Sequence, residues 1–283
     1  MNGNICAPNI ESFDGLSCIH LNVLIEMINA YNMDNPNSKI KMDSRRELIN
    51  PKEYKKYLIY EFEKRLNNVC DSQICWTKQN FINNMKEKQK NELLKYTFKP
   101  EGPEGKFEWL NTINIKDVIK QYERKYPDFK FVGCVPIDFD DLPVLGIRDL
   151  NFNHLLREGK TKLGFVFNLD KHNQDGSHWI ALYVDLLKYK IFFYDSFGVE
   201  APSEVRKLIR KICRYFETTG NSRFLECKYN KLRHQFGNSE CGVYSINFIL
   251  RMLQGENFEK ICNDKTTDEE INKFRDIYFI KSQ

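Results

Sequence analysis

The run Gln235-Phe236-Gly237-Asn238-Ser239-Glu240-Cys241-Gly242 sets a thiol six residues after a carboxamide. It stands at the head of a stretch whose apolar positions, Val243, Ile246, Leu250 and Leu253, have helical spacing, with Gly255 as a stop. A cysteine at a helix start faces unpaired backbone N–H groups and the positive end of the macrodipole, which favour an anion there. The thiolate is the nucleophilic form of cysteine, so this is where a covalent catalyst would sit. The same turn offers N–H donors to a developing oxyanion, and the Gln235 amide is placed to complete such a hole. Gly237 and Gly242 let the backbone come close.

A nucleophilic cysteine needs a base, and the chain has five histidines: His20, His154, His172, His178 and His234. His178 opens a β-rich run and precedes Trp179; the next run ends at Asp195. If Asp185 to Lys190 is a tight antiparallel connection, Asp195 falls opposite Ile180, and strand parity puts His178 and Asp195 on one face. Diagonal neighbours of that kind lie about 7 to 8 Å apart at Cα, within side-chain reach, so the carboxylate can orient the imidazole. Each residue has a plainer reading when taken alone: Cys241 as buried structure, His178 as packing, Asp195 as the start of the turn Asp195-Ser196-Phe197-Gly198. Order, parity and spacing together favour the catalytic reading. His234 is a rival base, more naturally read as pointing along a substrate groove.

The elements that must hold these residues follow from periodicity. Leu163–Leu169, His178–Asp185 and Ile191–Asp195 are aromatic and β-branched runs between polar turns, which predicts strands, and from about Phe129 onward the chain reads as a sheet. Ile115–Tyr126 and Cys241–Gln254 read as helices. From Cys18 to about Lys95 the pattern is helical, with Leu21, Leu24, Ile25 and Ile28 on one face and a second helix over Tyr54–Leu66; Asn35-Pro36 and Asn50-Pro51 break it into pieces. Lys99-Pro100-Glu101-Gly102-Pro103-Glu104-Gly105 concentrates turn formers. The expected division is a helical region over 1–98, a linker and lead-in helix over 99–128, and a catalytic domain over 129–283.

Composition narrows the classes. The chain has 283 residues, 41% of them hydrophobic, enough to build a sizeable core, and a net charge of only +4 does not announce a nucleic-acid or membrane partner. The opening Met1–Gly15 shows neither the basic nor the apolar region of a signal peptide. Nine cysteines in a chain of this length, with an odd count, predict reduced thiols in a cytosol-like setting. Cys70 and Cys75, with Cys18 and His20, lack a second clean pair to close a zinc site, so no metal and no other cofactor is expected. From residue 39 to residue 130 bases outnumber acids by 21 to 14. DNA binding through that stretch is one reading, and a solvated surface of ordinary helices is the plainer one.

His178-Trp179, Tyr194-Asp195-Ser196 and Gln235 with Cys241-Gly242, in the order His, Asp, Gln, Cys, resemble the motifs of the ubiquitin-like-protein-specific cysteine proteases, the clan of the SUMO proteases and adenovirus protease. The likeness runs over roughly Phe129–Ile280. It implies an α+β fold: a papain-like cysteine protease core with a mixed sheet flanked by helices, plus a mainly helical N-terminal region. It implies His178 as base, Asp195 as its orienter, Cys241 as nucleophile and Gln235 in the oxyanion hole, with Trp179 and Asn238 touching substrate. Cys18–Asn32, Cys70–Trp76, Phe107–Leu110 and Phe131–Phe139 resemble the viral branch found in large nucleocytoplasmic DNA viruses. That branch implies a protein substrate, cleavage of structural polyproteins after Gly-Gly-X during virion maturation, and a location in the virion or host cytoplasm. Removal of SUMO or ubiquitin-like modifiers is the alternative, and an acyltransferase or a non-catalytic binding module on the same fold is a third.

Overall fold

The computed structural model describes residues 5–105, 107–219 and 222–280; Met1–Asn4, part of the opening read for a signal, lie outside them. Two compact units divide the chain, Met1–Lys99 and Pro100–Gln283.

The first unit carries α1 (Leu21–Asp34), α2 (Ser44–Ile49), α3 (Pro51–Leu66), α4 (Gln73–Thr77) and α5 (Glu87–Glu92). Proline at the first position of α3 needs no N–H partner, and the Asn50 side chain accepts from the Glu53 N–H, so the Asn50-Pro51 break is also a helix start. The buried face of α1 is Val23, Leu24, Met27, Ile28, Ala30 and Tyr31. It is rotated from the expected one, because Leu21 and Ile25 are only half-buried. Phe62 of α3 centres the unit, edge-on to Tyr31, Trp76 and Phe81 at 5.5, 5.0 and 5.6 Å between ring centroids.

The expectation of uniformly reduced cysteines is corrected here. Cys6–Cys18 and Cys70–Cys75 are disulfides, with Cα atoms 5.3 and 5.4 Å apart. Short loops bring both pairs within bridging distance, and the odd count is accounted for by the free thiols of Cys134, Cys213, Cys227, Cys241 and Cys262.

The second unit is built on five strands: β1 (Phe129–Pro136), β2 (Lys162–Asn168), β3 (Trp179–Asp185), β4 (Lys190–Tyr194) and β5 (Glu226–Tyr229). They lie in chain order; β1 is parallel to β2, β4 is parallel to β5, and the inner pairs are antiparallel. Helices α6 (Thr112–Lys125), α7 (Phe152–Arg157), α8 (Ser203–Thr218), α9 (Cys241–Leu253), α10 (Phe258–Asn263), α11 (Asp268–Lys273) and α12 (Arg275–Tyr278) complete it. Trp179, Ala181 and Tyr183 face a core shared with α6 and α9, while Ile180, Leu182 and Val184 face one shared with α8. Both faces of β3 are therefore covered, which is why it reads as an unbroken apolar run rather than an alternation. Every residue of α9 except Arg251 is buried. A Cβ on Gly242 would stand 2.9 Å from Leu110 Cβ, so glycine is what lets the head of α9 approach that residue.

Candidate active site

Strands β3 and β4 pair Ala181 with Tyr194 and Leu182 with Phe193, the register expected from parity, and Asp185 pairs with Lys190 across the turn. His178 lies one residue before β3 and Asp195 one after β4, on the same end of the ribbon. His178 Nε2 meets Asp195 Oδ1 at 2.6 Å. Asp195 is only 4% exposed. Its Oδ1 also accepts from the Phe197 N–H at 2.9 Å, and its backbone carbonyl accepts from Asn230 Nδ2 at 2.8 Å. A buried carboxylate tied down in this way holds the imidazole in one orientation and leaves Nδ1 for the thiol.

Cys241 is the first residue of α9 and 1% exposed. Burial alone would lower the His178 pKa. The hydrogen bonds and charges of Asp195 and Cys241 outweigh it and raise the value to about 9. The three groups thus favour imidazolium at neutral pH, the partner that a thiolate requires.

Gln235 is fully buried, and its amide is fixed by two contacts: Oε1 accepts from Ser196 Oγ at 2.7 Å, and Nε2 donates to the Gly237 carbonyl at 3.0 Å. The donor is thus turned toward the loop that precedes Cys241. Asn238 is exposed on that loop. Trp179 is buried, donates from Nε1 to the Leu110 carbonyl at 2.8 Å, and lines a cavity of about 350 Å³ with Trp109, Asn168, Asp170 and Gly176.

His234 is not a groove residue, contrary to expectation. Its Nδ1 meets the Tyr194 hydroxyl at 3.0 Å and its Nε2 meets the Cys262 carbonyl at 2.8 Å. Burial lowers its pKa. With both ring nitrogens engaged in the interior, it is a neutral packing element with no free lone pair for catalysis.

A second ring of residues escaped the sequence reading. Asp268 Oδ2 accepts from the Phe236 and Gly237 N–H groups at 2.8 and 2.7 Å. Asn272 donates to Glu240 and accepts from Arg275 Nε, while Arg275 also donates to the Glu108 and Ser239 carbonyls. These residues of α11 and α12 bracket residues 236–240 from behind. Their only sequence signal is the Thr267-x-x-Glu270 capping box that starts α11. Among the described residues no group of His, Cys, Asp and Glu is arranged to hold a metal ion.

Known proteins resemble this chain over these elements. A family profile described as the Ulp1 protease family, C-terminal catalytic domain, matches residues 167–282. A protein of Acanthamoeba polyphaga mimivirus, named as a candidate thiol protease, is 39% identical over 285 residues, 98% of this chain and 93% of that protein. A cysteine protease of African swine fever virus is 24% identical over 243 residues, 79% of this chain and 88% of its own length. In another isolate of that virus the corresponding protein is named a SUMO-1 cysteine protease. The crystal structure of an African swine fever virus protease shares the fold with a TM-score of 0.70 at 21% identity, over 99% of this chain and 97% of that one.

Proposed function

The chain belongs to the Ulp1 protease family and is a cysteine protease; from that premise we propose that it cuts viral structural polyproteins after Gly-Gly-X during virion maturation, in the virion or the host cytoplasm. In this reading the Cys241 thiolate attacks the substrate carbonyl while Gln235 Nε2 and the Cys241 N–H bind the oxyanion. His178, held by Asp195, then gives its proton to the leaving amine, and an acyl-enzyme remains on Cys241. His178 next takes a proton from water, whose attack frees the product.

The observation that carries the substrate reading is burial. Cys241 is 1% and His178 6% exposed, so a peptide reaches the sulfur most easily where it has no side chains to exclude, as a pair of glycines provides. The mimivirus relative matches 98% of this chain, the helical first unit included, whereas the Ulp1 catalytic-domain profile begins at residue 167. That favours a viral protein substrate over a host modifier. The SUMO-1 protease name carried by a relative supports modifier removal as the second reading.

Digesting structural precursors and SUMO conjugates side by side, with mass mapping of the new termini, separates the two. Cuts after Gly-Gly-X in the precursor are expected. Cleavage of the conjugates alone would overturn the polyprotein reading, and undiminished cleavage by purified C241A would overturn the assignment of the nucleophile. Activation by DNA through residues 39–130 would show as a rate that rises with added duplex and falls with salt.

A further inference from the structure

Beside the His178 imidazole stands a stack of rings that encloses one guanidinium. Phe197 lies flat against His178, 4.4 Å between centroids with 7° between planes. Arg233 Cζ is 5.0 Å from the Phe197 ring centroid and 5.0 Å from that of Phe236. Arg233 Nε donates to the Gln235 carbonyl at 2.7 Å, which fixes the plane of the fork. Among the described residues no carboxylate forms an ion pair with it. Arg233 is exposed, and Phe236 is 70% exposed. The turn that carries Phe197 is pressed against the Arg233 backbone: a Cβ on Gly198, at φ +74°, would come within 2.8 Å of the Leu232 carbonyl carbon.

An exposed arginine ordinarily pays side-chain entropy to bind anything. This one has already been ordered by two aromatic faces and a backbone carbonyl, so its outer N–H groups are pre-set for a planar, two-oxygen acceptor. Its position gives the direction of the substrate. His178 delivers its proton to the leaving amine, so the departing segment of the substrate passes His178 and then the stack. With 4.4 Å from the imidazole to the Phe197 centroid and 5.0 Å from there to the guanidinium, the imidazole and guanidinium are at most about 9.4 Å apart, within the span of about three extended residues.

We propose that Arg233 is a specificity-determining residue that binds an acidic side chain within the first three residues after the scissile bond. The inference rests on the hydrolytic reading above and adds to it a preference on the leaving side.

The test uses three sets of fluorogenic peptides, identical through Gly-Gly-Ala, that carry Asp, Asn or Lys at the first, second or third position after the cut. In at least one set wild type is expected to favour Asp over Asn in kcat/KM by about three- to tenfold, with the ratio shrinking at high salt. R233Q brings the ratio close to one, and R233E makes the Lys peptide the preferred substrate. In parallel, fluorescence anisotropy reads binding of the same peptides to C241A and to C241A/R233Q. If wild type cuts none of them but C241A prefers the Asp peptide and R233Q removes the preference, the Gly-Gly-X reading falls and the role of Arg233 stands. Asp-to-Asn ratios that are the same with and without Arg233 in all three sets, or no binding of any peptide to C241A, overturn the proposal.

Discussion

The first unit buries three polar side chains among its described residues, Ser17, Lys55 and Thr97, whereas the second buries fourteen, including His178, Asp195, Ser196, Asn230, His234, Gln235, Glu240 and Arg275. The first is held by an aromatic cluster around Phe62 and by two disulfides. The second takes groups that prefer water out of it, which costs about 1 to 3 kcal/mol for each that is left unbonded. None is left so among the described residues: every buried side-chain nitrogen or oxygen has a partner. Polar groups buried and fully bonded beside Cys241, such as His178, Asp195 and Gln235, are pre-organised in the way a reacting centre requires; we read the first unit, held by aromatic packing and bridges, as the structural part.

The largest way to break that contrast is C241A. If Cys241 is the nucleophile we propose, its loss is expected to lower kcat by at least about 10⁴-fold while the melting temperature moves by only a few degrees, since one small buried side chain replaces another. Turnover and calorimetry on one preparation check both halves. Loss of the fold along with the activity would mean that the polar network is scaffolding.

D195N comes next. Because the folded value of His178, about 9, lies above its ordinary 6.5, the charged ring contributes stability that is complete below about 6.5 and is lost as pH rises through about 9. Wild-type kcat/KM should therefore fall on the alkaline side near pH 9, when the leaving amine loses its proton donor. Without the carboxylate the alkaline limb moves to lower pH and kcat/KM drops by roughly 10²- to 10⁴-fold. A pH profile whose alkaline limb stays in place in D195N would sink the pairing.

What was legible in the sequence was whatever obeys a short period. Strand parity and a tight connection were enough to place Asp195 beside His178, and the helical spacing after Cys241 gave α9. Two things were not legible. His234 sits next to Gln235 in the chain, but its inward direction is set by Tyr194 and the Cys262 carbonyl, 40 and 28 residues away. Arg275 reaches Glu108 across 167 residues, and no local pattern announces such a contact. The disulfides escaped for a different reason: an odd count and a long chain bear on average behaviour, whereas bridging depends on two Cα atoms coming within about 5 to 6 Å, and Cys6 is also held by a β-bridge to Phe98 far along the chain.

A smaller effect sharpens the oxyanion side. Q235A removes a donor held in place by Ser196 and is expected to cost about 10²- to 10³-fold in kcat with little change in KM, because the contact forms only as charge develops on the substrate oxygen. S196A, which frees the amide to turn, should give a fraction of that loss. Steady-state kinetics of the two variants check the order, and a larger loss in S196A than in Q235A would contradict it.

The smallest effect lies in the first unit and concerns stability alone. In the chain-entropy account, a bridge across 12 residues, as in Cys6–Cys18, constrains the unfolded chain by about 3 kcal/mol, and one across 5, as in Cys70–Cys75, by about 2 kcal/mol. The double variant C6S/C18S should therefore exchange its amide hydrogens faster over α1 and α3, where the core around Phe62 opens more often. Residues 178–195 and 235–253 should keep their protection, because what holds them is strand pairing and the buried α9 of the second unit. Hydrogen exchange read by mass spectrometry resolves the two regions in one experiment. Equal loosening of both would mean that the bridge supports the site as well as its own unit, and the division between a structural part and a chemical part would have to be given up.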